Sequence, residues 1–439
     1  MRIVNKPENG KTEQAWNELF GKYGITDCVR RDGSFRISAE QIKEFREPRL
    51  MAKFDHRKNL PSVFKSNGLG ILPISRGDYL IGPFDLFAPL PEPGSGGIVQ
   101  KATLPAEVAS ISPNAIFSEP VALNCAWNAG ILQSFLGEER LFPTLTGRMG
   151  AKPFEFCIGS IRNGGMTTVA VNGAQIEVDA AYEGDSSLTI IEAKMDLAED
   201  FIVRQLYYPY RHFSMLPIHK SVRTVFLTYS AGIFSLSEYG FTNPDNYSSA
   251  VLLKTARYSL DSAVITLADL IRLMESTKPV ADAGGIPFPQ ADTFERVINL
   301  CERLTRGPMT KEDIEEAYGF DPRQADYYFN AAAYLGLAKR EGGKGSRVVL
   351  SDNGRALSDL PLARRNMRLA DLILRHRAFR ETFRLSLAQG SIPDKNEIRE
   401  ILLKTNPGLG NPDGETYARR ASTIRHWTQW LLSLPNEAS

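Results

Sequence analysis

Two acidic residues and a lysine lie in two apolar segments that a short turn separates. The segment QIEVDAAYE contains Asp179, and the segment LTIIEAKM contains Glu192 and Lys194. Because side chains alternate between the two faces of a strand, Glu192 and Lys194 share one face of a predicted hairpin. Carboxylates and a lysine among buried strands need partners, since an unpaired buried charge is costly. A shared cation would supply one.

Hydrolysis of a phosphodiester requires this set of groups. Asp179 and Glu192 would hold Mg²⁺ on the scissile phosphate, because Mg²⁺ prefers hard oxygen ligands. The backbone carbonyl of Ala193 can also point toward the metal. Lys194 would position the attacking water, favour its hydroxide form or stabilise the charge that develops on phosphorus. The alternative is a hairpin with an ordinary Glu–Lys surface pair, because acidic residues and lysines are abundant.

The surrounding sequence predicts a mixed α/β domain over residues 98–280. Ser118 is placed to cap a long first helix that continues through VALNCAWNAGILQSFLG. A meander of strands follows, then a crossover helix, and then further strands. Arg204 and Gln205 lie on the crossover helix, whose turns would bring them over the site to hold a phosphate.

The hairpin and the helix after it resemble the PD-(D/E)xK nuclease superfamily, through Asp179, Glu192, Ala193 and Lys194. With the C-terminal modules described below, the chain resembles type II restriction endonucleases. The resemblance implies a mixed-sheet core, an Mg²⁺ cofactor and sequence-specific cleavage of both strands of DNA, with 5′-phosphate and 3′-hydroxyl ends. One departure is that Val178 stands where the family has a proline.

The resemblance also implies a further metal-binding carboxylate from the first helix of the domain. Glu119 is the first choice, and Glu155 and Glu177 are the alternatives. Glu119 has a second explanation, because the helix dipole favours acidic residues in the first turn of any helix. The sequence leaves the choice among the three open.

Residues 281–360 show the element order of a winged helix, with three helical patterns before two β-like runs around a glycine-rich tip. The third helix of such a module enters the major groove, although winged helices also mediate protein contacts. Arginine, asparagine and glutamine can pair with base edges. We expect DNA contacts from four residues of this helix: Arg323, Gln324, Tyr327 and Asn330.

Residues 361–439 are helical and rich in arginine, and they resemble a second helix-turn-helix unit. Arginines on such helices contact phosphates and provide salt-sensitive affinity for DNA. We expect phosphate contacts from Arg365, Arg419 and Arg420.

Residues 1–97 form a small basic α+β domain followed by a linker at 83–97 that is dense in proline and glycine. Between Arg30 and Lys65, lysine and arginine outnumber the acidic residues. This basic stretch is either a solvated helix surface or a phosphate-contacting one. Whether the domain reads DNA, closes over it or contacts another subunit stays open.

The composition of the 439 residues is that of a soluble globular protein, with 43% hydrophobic and 23% charged residues. No apolar run is long enough to cross a bilayer, and the N-terminus lacks the apolar core of a signal peptide, so we expect a cytoplasmic protein without a membrane partner. The 4 cysteines form no Cys-x-x-Cys pair, which argues against a zinc knuckle. The formal net charge of +1 gives no support for nucleic acid by itself.

The expected partner is double-stranded DNA, and the expected assembly is a homodimer, because two sites related by a twofold axis can cut both strands of a palindrome. A cognate DNA methyltransferase would belong to the same system without direct contact. Two alternatives remain. One is a structure-specific or repair nuclease with the same core, and the other is a non-enzymatic winged-helix regulator whose α/β domain serves as a scaffold.

Overall fold

The computed structural model describes residues 8–94, 97–113, 116–260, 264–281, 284–343, 346–411 and 414–435. The chain forms two compact units. The first unit consists of Met1–Gly96, Ser118–Thr228 and Ser235–Arg257, and the second of Gly97–Phe117, Tyr229–Phe234 and Tyr258–Ser439.

The helices are numbered in chain order. They are α1 (Glu8–Tyr23), α2 (Ile25–Asp32), α3 (Ala39–Lys43), α4 (Pro48–Met51), α5 (Ser62–Ser66), α6 (Glu119–Asn128), α7 (Ile131–Leu136), α8 (Arg204–Ser214), α9 (Leu267–Ser276), α10 (Phe294–Leu304), α11 (Lys311–Tyr318), α12 (Pro322–Tyr334), α13 (Asp352–Ser358), α14 (Leu362–Leu374), α15 (Arg377–Gln389), α16 (Lys395–Thr405) and α17 (Glu415–Ser433). No helix in the described ranges is long and apolar enough to cross a membrane.

The strands are numbered in the same way. They are β1 (Phe35–Ser38), β2 (Gly70–Pro73), β3 (Asp78–Gly82), β4 (Phe87–Pro89), β5 (Val99–Lys101), β6 (Phe142–Gly150), β7 (Phe154–Gly159), β8 (Met166–Val171), β9 (Gln175–Glu183), β10 (Ser187–Lys194), β11 (Asp200–Ile202), β12 (Ser221–Ser230), β13 (Ile233–Phe241), β14 (Ala250–Ser259), β15 (Ala338–Glu341) and β16 (Arg347–Leu350).

A mixed sheet forms the centre of the first unit, with its strands in the order β14-β13-β12-β10-β9-β6. Strand β10 is antiparallel to β9 and parallel to β12, and α8 makes the crossover between β10 and β12. Every residue of β10 up to Ala193 is buried, as expected for a central strand next to a parallel neighbour. The predicted mixed α/β fold is confirmed at this level.

The turn of the β9–β10 hairpin is fixed by the carboxylate of Glu138. This group accepts hydrogen bonds from the backbone N–H of Asp185 at 3.0 Å and from the hydroxyls of Ser186 and Ser187 at 2.8 and 2.9 Å. A Cβ atom at Gly184 would lie 2.5 Å from the same carboxylate, so a larger residue there would displace it from these hydrogen bonds. The turn therefore sets the register that brings Asp179 next to β10.

The N-terminal segment, residues 8–82, shares one hydrophobic core with the sheet region. Trp16 and Phe64 are fully buried in it, together with Phe156, Tyr207 and Tyr208. The Tyr208 hydroxyl donates a hydrogen bond of 3.0 Å to the carbonyl oxygen of Pro73. The segment GLGILPISRGDYLIG predicts a hairpin, and the structure confirms it as β2 and β3, which with β1 form an antiparallel sheet in the order β1-β3-β2.

The second unit contains the predicted order of a winged helix: α10, α11, α12, β15 and β16. Strands β15 and β16 pair antiparallel, and an additional antiparallel bridge joins Met309 to Val348. Helices α14 to α17 confirm the predicted helical C-terminal region. Phe294, Trp427 and Trp430 pack together in the core of this unit, with the rings of the two tryptophans 4.7 and 4.5 Å from that of Phe294.

Three local predictions were wrong. The long helix expected after Ser118 is divided into α6 and α7, because Gly130 adopts a left-handed conformation with φ of 72°. The segment SAEQIKEFREPRLMAKF predicts one helix from Ser38, but the structure divides it into α3 and α4, since Pro48 starts a new helix. The expected linker contains β4, which pairs with β11 and buries Phe87.

Candidate active site

Strands β9 and β10 bring the predicted catalytic residues together at one end of the hairpin. Asp179 Oδ2 accepts a hydrogen bond of 2.9 Å from the backbone N–H of Ala193, which fixes this carboxylate against β10. The Lys194 ammonium lies 2.5 Å from Glu192 Oε1 and donates to the Ala193 carbonyl at 3.2 Å. The three side chains expected from the sequence are therefore neighbours.

Helix α8 supplies a fourth member of the site. It packs against β9 and β10, and Gln205 Nε2 donates a hydrogen bond of 2.6 Å to Glu192 Oε1. This oxygen thus receives two donors, one from Gln205 and one from Lys194. Within the described part of the chain, the second oxygens of Glu192 and Asp179 accept no hydrogen bond. These two oxygens are available to a ligand.

Burial dominates the electrostatics of Glu192, whose side chain is 8% exposed. Burial raises the pKa of Glu192 to about 7, against the lowering effect of Lys194, while Asp179 adds to the increase. Burial also lowers the pKa of Lys194, but the carboxylates of Glu192, Glu119 and Asp179 outweigh this effect and raise it above its ordinary value. Lys194 is therefore a cation at neutral pH, and a second positive charge beside Glu192 would further favour its ionised form.

Glu119 lies at the start of α6, which packs against β9 and β10. Burial raises the pKa of Glu119, Lys194 lowers it, and Asp179 and Asp196 raise it. Glu119 is thus within electrostatic range of the site, as the sequence suggested. Among the residues that the structure describes, however, no three His, Cys, Asp or Glu side chains converge closely enough to hold a metal ion.

The alternatives to Glu119 lie elsewhere. Glu177 is on β9, but its side chain is 56% exposed and pairs with Arg148 at 3.1 Å. Glu155 is exposed on β7, which pairs with β8 in a separate two-stranded sheet. Neither residue has a contact with Asp179, Glu192 or Lys194 in the described part of the chain, so the geometry favours Glu119, and the metal-binding role stays a prediction.

The donor set fits a hard divalent cation. Asp179 and Glu192 offer one carboxylate oxygen each, and Ala193, whose backbone N–H binds Asp179, adds a carbonyl oxygen that accepts from Lys194. Mg²⁺ is usually bound through one or two carboxylates and keeps several waters, so two carboxylates and a carbonyl suffice. A cation here would also compensate the burial of Glu192, which favours the neutral acid in its absence.

Within the described residues, Arg204 makes no hydrogen bond to the catalytic candidates on β9 and β10. It is half-buried, and its guanidinium lies 5.9 Å from the centre of the Tyr208 ring. Its partner on the helix, Gln205, does reach the site, although it contacts Glu192 rather than an open position for phosphate. The phosphate role expected for these two residues stays a prediction.

The predicted base-reading residues lie on α12. Arg323 is exposed, and Tyr327 and Asn330 are half-buried at the helical spacing that places them along the same side of the helix. Gln324 has a structural role at the start of the helix, where its Oε1 accepts a hydrogen bond of 3.0 Å from the backbone N–H of Asp321. Its availability to a base is therefore reduced.

The three arginines of the C-terminal region that were predicted to contact phosphates differ in exposure and in hydrogen-bond partners. The side chain of Arg365 is only 13% exposed and forms an ion pair of 3.1 Å with Glu302, so its phosphate contact stays a prediction that this pairing disfavours. Arg419 is 58% exposed and remains accessible. Arg420 donates to the carbonyl oxygen of Leu409 at 2.8 Å, and burial lowers its pKa.

Sequence reasoning missed two charged residues near the site. Lys53 lowers the pKa of Glu119, and Asp55 raises that of Glu192, so both lie within electrostatic range of the catalytic strands. The excess of basic residues between Arg30 and Lys65 was the only signal for them, and it did not distinguish one lysine from another.

Three families match successive parts of the chain. They are Domain of unknown function (DUF6996) over residues 13–81, Domain of unknown function (DUF6997) over residues 82–259 and Domain of unknown function (DUF7226) over residues 296–436. We found no match to the chain among curated proteins or solved structures. The catalytic candidates all lie in the middle region, and α12 lies in the last.

Proposed function

We propose that this protein is an Mg²⁺-dependent endonuclease of double-stranded DNA with Asp179, Glu192 and Lys194 as its catalytic residues. The observation that carries the proposal is the carboxyl group of Glu192. It is buried between Lys194 and Gln205, next to Asp179 on the neighbouring strand, and it leaves one oxygen open. Buried carboxyl groups with perturbed pKa values beside a cation are typical of functional sites.

The order of elements around the site supports a nuclease of the PD-(D/E)xK type. Helix α6 comes first, β6, β9 and β10 form an antiparallel set, α8 makes the crossover, and β12 lies parallel to β10. This is the helix, strand meander and crossover helix that the sequence resemblance implies. The hairpin β7–β8 is an insertion between β6 and β9.

Each residue of the site has a distinct role. The open oxygens of Asp179 and Glu192 and the Ala193 carbonyl would hold Mg²⁺. When bound, the metal would neutralise charge on the scissile phosphate and favour ionisation of its water. Glu192 and Ala193 hold the Lys194 ammonium in position. Beside the scissile phosphate, this cation would stabilise the charge that develops on phosphorus or position the attacking water. Gln205 fixes the orientation of Glu192.

The second unit would provide the specificity. Arg323 is exposed at the start of α12, and arginine pairs with guanine through two hydrogen bonds. Tyr327 and Asn330 extend the same side of the helix. We therefore propose sequence-specific cleavage by a homodimer, as in a restriction system whose methyltransferase acts separately. A structure-specific repair nuclease would use the same catalytic residues without base contacts from α12.

Cleavage of unmethylated plasmid and genomic DNA by the full chain tests this function. We expect discrete fragments in Mg²⁺, no cleavage in a chelator, and ends that a ligase rejoins directly, because ligation needs a 5′-phosphate and a 3′-hydroxyl. A smear of fragments would favour the structure-specific or repair nuclease. If the chain binds duplex DNA but cuts none of it in Mg²⁺ or Mn²⁺, the regulator is the better explanation.

A further inference from the structure

A short part of the N-terminal segment, residues 53–58, is bound to β11. We call it the anchor segment. The carbonyl oxygen of Asp55 accepts a hydrogen bond of 3.1 Å from Ile202, and His56 Nδ1 lies 2.7 Å from the carbonyl oxygen of Asp200. Strand β11 lies between Lys194 and α8 in the chain, so the anchor segment is fastened to the link between two elements of the active site.

Side chains reinforce this attachment. Lys58 forms an ion pair of 2.8 Å with Glu199, and the backbone N–H of Arg57 donates to Asp200 Oδ2 at 3.2 Å. The shared hydrophobic core holds the rest of the N-terminal segment against the sheet region. The position of the anchor segment relative to the catalytic strands is therefore fixed by backbone, ionic and apolar contacts together.

Lys53 is the most exposed basic side chain of the anchor segment. Its side chain is 66% exposed, and its ammonium lies 3.6 Å from Asp55 Oδ2. An ion pair this long and this exposed contributes little, so it does not prevent the lysine from binding another anion. Two charges of this segment also act on the site. Lys53 lowers the pKa of Glu119, and Asp55 raises the pKa of Glu192.

We infer that Lys53 binds a backbone phosphate of the DNA strand beside the scissile phosphodiester, so that the N-terminal segment forms one wall of the substrate site. This inference rests on the proposed nuclease function and adds a substrate contact from outside the catalytic strands. Lysine suits the role because it binds phosphate as a point charge without a fixed geometry. Arg57 is less suitable, since it pairs with Asp85 at 3.0 Å.

The test compares Lys53→Ala and Lys53→Arg with Lys43→Ala as a matched control. Lys43 is an exposed lysine of the same segment on α3, which packs against β1 and α4 rather than against the catalytic strands. Binding of each protein to a duplex of arbitrary sequence is measured in Ca²⁺ over a range of salt concentrations. Thermal unfolding of each variant checks that the fold is intact.

Loss of one phosphate contact reduces the slope of log affinity against log salt concentration by about 0.9. If variant and parent bind equally at about 1 M salt, the variant therefore binds roughly eightfold more weakly than the parent at about 0.1 M. We expect this change for Lys53→Ala, most of the affinity retained in Lys53→Arg, and no change in Lys43→Ala. If Lys53→Ala binds as Lys43→Ala does while the parent cuts DNA, the inference is overturned and the nuclease function stands. If the parent cuts no DNA, the proposed function fails, and this inference fails with it.

Discussion

Replacement of Glu192 by glutamine should change how the stability of the first unit depends on pH. The Glu192 side chain is 8% exposed, and burial raises its pKa from 4.5 to about 7. When the pKa of an acid is higher in the folded state, protonation stabilises the folded protein. The free energy of unfolding therefore falls as pH rises through this interval. The loss begins near pH 4.5 and is complete above about pH 7.

The size of the effect follows from the same values. A pKa that moves from 4.5 to about 7 corresponds to about 3 kcal/mol, at roughly 1.4 kcal/mol for each pKa unit. Glutamine has nearly the shape of protonated glutamate and does not ionise. The free energy of unfolding of Glu192→Gln, relative to that of the parent, should therefore rise by about 3 kcal/mol between pH 4.5 and pH 8. This corresponds to roughly 6–12 °C in Tm for a unit of this size.

Thermal unfolding in a chelator at several pH values measures this difference. Glu183→Gln is the matched control, because Glu183 lies on the same hairpin but is 35% exposed in its pair with Lys220. Added Mg²⁺ should stabilise the parent at pH 8 and leave Glu192→Gln nearly unchanged, since a cation binds the ionised carboxylate. If the parent and Glu192→Gln keep a constant difference in Tm from pH 4.5 to pH 8, the reasoning about the buried carboxyl group is refuted.

Three further predictions concern the remaining residues. Asp179→Asn should not cut DNA in Mg²⁺, while the parent in Ca²⁺ should bind DNA in gel-shift assays without fast cutting. Arg323→Ala should cost roughly 1–3 kcal/mol of binding and relax the preference at one base pair, as measured by isotherms on cognate and scrambled duplexes. Arg365→Ala should destabilise the second unit by roughly 1.5–3 kcal/mol in urea unfolding, because Glu302 loses one charged partner but keeps its hydrogen bonds from Ser230 and Ala231, and should leave the salt dependence of DNA binding unaltered. A flattened salt dependence would restore the phosphate role of Arg365.

The catalytic hairpin was predictable because its signals are local. Residues 175–194 contain all three signals: the alternation of apolar and polar residues along β9, the apolar run of β10 and the turn between them. Alternation then places Glu192 and Lys194 on one face without knowledge of the rest of the fold. The winged-helix order was predictable for the same reason. Its helices α11 and α12 each begin at a capping box that is visible in the sequence.

Features that depend on distant partners were not predictable. Strand β4 exists because β11 pairs with it, and these two strands are more than a hundred residues apart in the sequence. Lys53 reaches the catalytic region only through the attachment of the anchor segment to β11. A run of arginines likewise has the same sequence pattern whether its side chains are solvated or paired. The pairing of Arg365 on α14 with Glu302 on α10 depends on the tertiary fold.

Cleavage of plasmid DNA by Lys194→Ala, compared with Lys220→Ala, tests the central claim most directly. Both lysines pair with a glutamate of the hairpin strands and are similarly exposed, at 27% and 28%, but Lys220 lies at the opposite end of β10 from Lys194. We expect Lys194→Ala to bind DNA in Ca²⁺ about as tightly as the parent and to show no cleavage in Mg²⁺, whereas Lys220→Ala cuts at the parent rate. Cleavage by Lys194→Ala at the parent rate would contradict the assignment of this site.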